Sequence, residues 1–335
     1  MNMTRPDPVK ALVLMSGGLD SRLAACVLRA QGIAVTALSF ESPFFTAAKA
    51  RQAAEQLGLP LIVEDYTDTL LAIIAHPRHG FGSCINPCID CHTAMIRRAG
   101  ERMERDGFHL IATGEVVNQR PMSQTPRSLG IVAAECGYGD WLLRPLSAKL
   151  LPLTEPERRG WVDRERLLAL NGRSRKPQEA LAAGYGIRGY PPAAGGCSLT
   201  EPNYASRLKD LRDHGQLRDL KAIALLKVGR HFRVTPTLKL IVGRDAADNE
   251  RLEALAGPAD ALFRMEEVPG PSALLTGPIT AGDIPKAAAF CARYSDGRAA
   301  VRVTVQVKDA TGERALDVIP ATEADTEPFR IKTRK

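Results

Sequence analysis

Between residues 10 and 30 the chain changes period abruptly. Residues 11–15 are apolar without interruption, as in a strand buried on both faces. The run stops at Ser16-Gly17-Gly18-Leu19-Asp20-Ser21, after which Leu23, Cys26, Val27 and Ala30 recur at a spacing that puts them on one helical face. Strand, tight loop and helix are predicted in that order. The alternation continues with strands over 33–40 and 60–65 and a helix over 45–57, which implies parallel strands joined by helical crossovers. A ligand then belongs at the carboxyl ends of the strands, where the loop 16–21 lies.

Residues 67–75 read as a short helix and 76–91 as a loop rich in Gly, Pro, Asn and Cys. Helical spacing returns over 92–106, with Met95, Ile96, Ala99 and Met103 on one face. A strand over 110–113 leads into Gly114 and Glu115, a helix covers 123–136, and a strand over 142–146 runs into Ser147-Ala148-Lys149. Residues 158–170 read as helix, 171–176 as a turn dense in positive charge, and Ala193-Ala194-Gly195-Gly196-Cys197 as a turn around a fixed cysteine. Two basic helical segments, 204–212 and 217–227, then lead to strands at 238–242, 261–265, 301–307 and 315–319 and helices at 246–256 and 284–293. The expected organisation is an α/β domain over 1–203, a parallel sheet with helices on both faces. A basic helical connection over 204–230 and a small α/β domain over 231–335 follow it. Residues 321–335 look frayed and end basic.

At 335 residues the chain has room for two cores, and 44% hydrophobic with 25% charged residues is an ordinary globular balance. Aromatics at 5% argue against a surface that stacks many bases. A formal charge of +7 leaves room for a polyanionic partner. No segment approaches a membrane span and residues 1–8 lack the apolar core of a signal peptide, so the expected compartment is the cytoplasm and a membrane is not an expected partner. There the seven cysteines are reduced, and close Cys spacing speaks of metal or catalytic chemistry rather than a disulfide framework.

The glycine loop suits phosphate. Gly17 and Gly18 let backbone N–H groups approach a ligand, and the helix opening near Ser21 adds its positive end. Ser16 and Ser21 can donate hydroxyls, and Asp20 can hold a magnesium ion bridging phosphates. A Gly-Gly turn that merely leads a buried strand into a helix is the plainer alternative. The string is not a Walker A motif, since G-K-[ST] is missing.

Cys84, Cys88 and Cys91 share one loop, in Cys84-Ile-Asn-Pro-Cys88-Ile-Asp-Cys91-His92, and Cys197 is a distant further thiol behind two glycines. Two thiolates separated by two residues can reach one metal. Three thiolates could hold three irons of a 4Fe-4S cluster and leave the fourth iron open to sulfide. A structural zinc site completed by Cys84 or His92, and a metal-free thiol pair cycling between persulfide and disulfide, remain open beside it. Cys26, Cys136 and Cys291 sit in helical patterns and read as small buried hydrophobes.

Ser16-Gly17-Gly18-Leu19-Asp20-Ser21, Asn86-Pro87-Cys88-Ile89-Asp90-Cys91, Thr113-Gly114-Glu115, Arg144-Pro145-Leu146 and Gly196-Cys197 together resemble the PP-loop tRNA thiolation enzymes. The chain is similar to a bacterial group with a 4-thiouridine-synthase-like ATPase domain that lacks the usual N-terminal RNA-binding domain. Its C-terminal unit resembles the RNA-binding domain of NFACT proteins, through Gly229-Arg230-His231, Leu238-Lys239-Leu240-Ile241-Val242-Gly243-Arg244 and Asn249-Glu250. The resemblance implies the PP-loop, HUP-like fold, with ATP on the loop 16–21 and adenine near Ser39, Phe40, Thr113 and Gly114. It implies that a uridine carbonyl oxygen attacks the α-phosphorus, pyrophosphate leaves, and sulfur displaces AMP from the adenylated base. Cys88, Cys91 and Cys197 map onto the cluster-holding cysteines of iron-sulfur relatives; in cluster-independent relatives the first of these positions is an aspartate. Cys84 matches no family position. The implied partners are tRNA and a sulfur donor, either sulfide or a cysteine desulfurase persulfide, and a homodimer is left open.

Arg173, Arg175 and Lys176 in one turn, and Arg207, Lys209, Arg212, Arg218, Lys221, Lys227, Arg230 and Arg233 further on, could contact phosphates, or could form a solvated face since Asp210, Asp213 and Asp219 are interleaved. Lys149 could neutralise phosphate or lie on the surface. Two other functions compete: a PP-loop ligase or amidotransferase admitting an amine, for which the cysteine trio has no use, and a non-catalytic RNA-binding or ribosome-associated protein with a vestigial ATPase domain.

Overall fold

The computed structural model describes residues 6–192 and 197–332. The chain forms two compact units that divide between Ser198 and Leu199. The turn expected over 193–196 lies outside the described residues.

In the first unit the elements run β1 (Lys10–Leu14), α1 (Leu19–Arg29), β2 (Ala34–Glu41), α2 (Ala48–Leu57), β3 (Leu61–Asp65), α3 (Thr67–Ala75), α4 (Cys88–Asp106), β4 (Leu110–Ala112), α5 (Pro126–Glu135), β5 (Leu142–Leu143), α6 (Glu155–Arg158) and α7 (Lys176–Gly184). The sheet is parallel, in the order β3-β2-β1-β4-β5. The apolar run explains why β1 is central: Ala11, Leu12 and Val13 have no exposed surface, because layers cover both faces of their strand. Strand order reverses at β1, with β2 on one side and β4 on the other. The carboxyl ends of β1 and β4 therefore flank the crevice where open parallel sheets bind ligands.

Two expectations are corrected here. α4 opens at Cys88, so Cys88 and Cys91 stand on a first helical turn rather than in a loop. Residues 158–170 are not one helix: α6 ends at Arg158, Gly160 takes a left-handed φ of 66°, Trp161 and Val162 turn into the core, and Asp163 caps a short 3-10 turn at Arg164–Arg166. Residues 176–184, which no pattern singled out, form α7.

The second unit holds α8 (Pro202–Asp213), α9 (Leu220–Leu225), β6 (Arg230–Arg233), β7 (Lys239–Val242), α10 (Ala246–Leu255), β8 (Ala261–Met265), β9 (Ala273–Thr276), α11 (Asp283–Arg293), β10 (Val303–Asp309), β11 (Gly312–Val318) and α12 (Glu323–Thr326). Its sheet is antiparallel throughout, in the order β11-β10-β8-β9-β7-β6. Strand alternation divides its two cores: Leu240 and Val242 of β7 pack with α11, while Ile241 packs on the other face with Leu225 and Leu252 of α9 and α10. The basic helical segment therefore belongs to this unit's own core rather than standing apart as a connection. Of the segment expected to fray, 321–332 is described and is tied down, since Arg330 bridges to Phe232 and the Ile331 N–H donates to the His231 carbonyl at 2.9 Å; 333–335 lie outside the described residues. Among the described residues no helix is long and apolar enough to cross a membrane.

Candidate active site

At the end of β1 the Met15 N–H still donates to the Leu38 carbonyl, 2.7 Å away, and then the chain turns out of the sheet. Gly17 takes a φ of 79°, and a Cβ there would stand 2.3 Å from the Lys49 carbonyl carbon, so only glycine lets the loop lie against the start of α2. Gly18 caps α1 in extended conformation with no side chain on the helix N–H groups, which leaves that positive end available to an anion. Ser21 is buried and its hydroxyl donates to the Gly18 carbonyl at 2.9 Å, while Ser16 is the exposed hydroxyl of the loop.

Asp20 is held from a distant segment. Gln119 Nε2 donates to Asp20 Oδ2 at 2.9 Å, and Oδ1 is buried without a partner. Burial raises its pKa, against the Gln119 hydrogen bond and the charges of Arg175 and Arg120. Sequence reading passed over Gln119, because a lone glutamine in a loop carries no periodic or motif signal.

The β4 end is pressed against this loop. A Cβ on Gly114 would lie 2.5 Å from the Asp20 carbonyl carbon and the Ser21 nitrogen. Next to it, Glu115 is 6% exposed and fully engaged: it faces His92 Nδ1 at 2.9 Å and accepts from Arg144 Nε at 2.8 Å and the Thr113 hydroxyl at 3.0 Å. Burial alone would raise its pKa, but the Arg144 guanidinium and then His92 hold the carboxyl well below the usual carboxylate range. Because His92 follows Cys91, this network fixes the cysteine-bearing turn of α4 to the ends of β4 and β5.

Ser39 and Phe40 lie buried at the carboxyl end of β2, opposite Val63 and Glu64 of β3. The Phe40 ring centroid is 5.2 Å from that of Tyr66, whose hydroxyl donates to the Cys91 carbonyl at 3.0 Å. The β2 end is thereby tied to α4 as well.

On α4, Cys88 and Cys91 are one helical turn apart and share a face. Buried Asn86 donates to Cys88 Sγ at 3.2 Å and accepts from the Cys84 N–H at 3.1 Å, so it orients the first thiol and the loop before it. Cys197 comes close enough for its charge to act on Cys91: burial pushes the Cys91 thiol up, and Cys197 and Cys88 push it further. Cys88 and Cys91 thus share one turn of α4, and Cys197 is near enough for its charge to reach Cys91. Among the described residues no group of three or more His, Cys, Asp or Glu side chains stands in a metal-holding arrangement, so the geometry of the three thiols does not itself form a metal site and only their donor chemistry is compatible with one. Cys26, Cys136 and Cys291 are buried elsewhere.

The expected cations divide differently. Lys149 Nζ is taken by the Glu165 carbonyl at 2.9 Å and its carboxylate at 3.2 Å. In the second unit Arg207 holds the Leu226 and Gly229 carbonyls, Arg230 holds Gly243, and Lys209, Arg212, Lys221 and Arg233 pair with Asp213, Asp213, Asp260 and Asp210. These side chains serve the unit's own architecture first.

A parallel sheet whose Ser-Gly-Gly-x-Asp-Ser loop sits at the strand-order reversal defines a PP-loop nucleotide domain. Residues 8–149 match the family model described as Thiamine biosynthesis protein (ThiI), and residues 229–330 match the one described as NFACT protein RNA binding domain. The first unit is thus similar to the ThiI family and the second to the NFACT RNA-binding domain. A tRNA-specific 2-thiouridylase MnmA of Azorhizobium caulinodans is 27% identical over 96% of this chain and 85% of the relative. One from Bradyrhizobium sp. (strain ORS 278) is 29% identical over 38% of this chain, and the match spans only 37% of that relative's length. A solved 4-thiouridine synthetase in complex with RNA and bound ATP covers 53% of this chain at 21% identity and a TM-score of 0.35.

Proposed function

We propose that the chain is an ATP-dependent tRNA sulfurtransferase. A uridine carbonyl oxygen attacks the α-phosphorus of ATP bound on the loop 16–21, expelling pyrophosphate, and sulfur then attacks the same carbon and expels AMP. Adenylation is needed because a uridine carbonyl oxygen is otherwise a very poor leaving group. One observation carries this reading. Gly114 touches the Asp20–Ser21 backbone on one side, while its neighbour Glu115 grips His92, the residue after Cys91, on the other. Phosphate loop and the α4 thiols are thus mounted on the short stretch that follows β4.

In this reading the loop backbone and the α1 N-terminus bind phosphates, Asp20 holds magnesium, and Ser39, Phe40, Thr113 and Gly114 border the adenine. Cys88, Cys91 and Cys197 carry the sulfur chemistry and would hold a 4Fe-4S cluster, whose open iron would present sulfide; zinc, or a metal-free persulfide, is the competing assignment. The NFACT-type unit supports tRNA as the nucleic-acid partner. Sulfide or a desulfurase persulfide is the donor, and a homodimer is compatible.

Mass spectrometry of tRNA nucleosides from cells with and without the gene tests the activity. One thiolated nucleoside disappears, and returns with the wild-type gene but not with Cys88→Ser, Cys91→Ser or Cys197→Ser. An unchanged nucleoside profile refutes the reading. Anaerobic purification with iron and sulfide analysis tests the cofactor, and a colourless protein holding one zinc refutes the cluster.

A further inference from the structure

The loop 16–21 has no lysine at its end, yet a triphosphate and its departing pyrophosphate need a cation beyond backbone N–H groups. Lys149 does not supply it, being bound to Glu165. Arg22 is fully buried beneath the loop, with Nε on the Gly17 carbonyl at 3.1 Å and Nη1 on Gln56; its Nη2 is also buried without a partner, but the side chain has no exposed surface through which to meet a ligand. Arg120, whose charge also reaches Asp20, is exposed, whereas α7 brings in a buried cluster. Three polar atoms there are buried with no partner: Asp20 Oδ1, Arg175 Nε and Gln178 Oε1. Gln178 is 1% exposed, and its Nε2 stands 3.5 Å from Oε1 of the same Gln119 that holds Asp20. Burying such groups unpaired is costly, and a fold that gathers several beside a phosphate loop has left them for a ligand.

We propose that Arg175, positioned with Gln178 and Gln119, completes the phosphate site of the loop 16–21 and binds the β- and γ-phosphates of magnesium-bound ATP. The proposal rests on the ATP reading given above. It moves Arg175 out of the basic turn that the sequence offered to RNA. Gln119 occupies Asp20 Oδ2 and leaves Oδ1 for the magnesium ion, while Arg175, whose charge already acts on Asp20, supplies the cation that the motif omits. Arg173 and Lys176, both exposed, stay outside the site.

The test is equilibrium binding of Mg-ATP, inorganic pyrophosphate, AMP and tRNA to the full chain and to Arg175→Ala, Arg175→Lys and Gln178→Leu. For Arg175→Ala, Mg-ATP and pyrophosphate binding weakens tenfold or more, while AMP and tRNA affinities stay within twofold. Arg175→Lys recovers part of the loss, and Gln178→Leu gives an intermediate loss confined to the same two ligands. Equal weakening of AMP and ATP marks a structural role and overturns the proposal. So does a fall in tRNA affinity with Mg-ATP unchanged, which returns Arg175 to RNA. Wild-type chain that binds no Mg-ATP overturns the ATP reading and this inference together, whereas wild type and Arg175→Ala binding it equally overturns this inference alone.

Discussion

Replacing Arg144 by Ala tests the buried network that joins the cysteine turn to the nucleotide edge. In the native protein Arg144 and Glu115 are each 6% exposed, with Nε 2.8 Å from Oε2. Removing the guanidinium leaves a buried carboxylate with His92 and the Thr113 hydroxyl as its remaining partners, and breaking such a pair costs about 3–5 kcal/mol. For a unit of this size each kcal/mol lowers the midpoint by about 2–4 °C, so the first unit's transition falls by about 6–20 °C. The sign of the pH dependence follows from Glu115. In wild type its folded pKa is depressed, so its contribution is present above the unfolded carboxylate value and is lost only as pH falls through the folded one. In Arg144→Ala burial dominates and the folded pKa rises above the unfolded value near 4.3, so the penalty grows with pH. Thermal melts at pH 5.5 and pH 8 read both effects: the gap between variant and wild type is wider at pH 8. Glu115→Gln combined with Arg144→Met closes most of it. A gap below about 1 kcal/mol that does not change with pH refutes the reasoning.

Gly114→Ala puts a methyl group against the Asp20 and Ser21 backbone at 2.5 Å, so Mg-ATP affinity falls along with about 1–3 kcal/mol of stability, read by calorimetry and melts; unaltered ATP binding contradicts the close approach. Cys26 and Cys136 have thiols raised by burial and Cys291 is pushed up to about 12, so all three resist iodoacetamide at pH 8 in the native state; peptide mapping that finds them alkylated at the rate of the denatured chain contradicts this. Lys239 is 4% exposed with Nζ 3.6 Å from Asp210, and burial lowers its pKa to about 8 despite that partner. The unfolded chain then binds more protons between pH 8 and about 10.4, so wild-type stability rises through that window relative to Lys239→Met. A difference in melting midpoint that stays flat from pH 7 to 10.5 argues against it.

Hydrophobic period alone set most of the first unit, because β1 to β3 and their crossovers are local patterns with strong contrast. Thr67–Ala75 was legible to the residue. It was less successful where a helix begins inside a polar loop, as at Cys88, or where apolar residues such as Trp161 and Val162 reach the core from turns. The phosphate loop was readable because φ > 0 at Gly17 and a short string of donors leave a sequence signature. Gln119 and Gln178 leave none, and Arg175 showed only as part of a basic turn, since the contact of Gln178 with the Gln119 that holds Asp20 depends on how α7 packs against α1. The same holds for the cations around 204–233: their number is in the sequence, but which carboxylate or carbonyl takes each one is decided by distances that exist only once the chain has folded. Local periodicity and turn chemistry are properties of neighbours along the chain, whereas pairing and burial of charge are properties of neighbours in space.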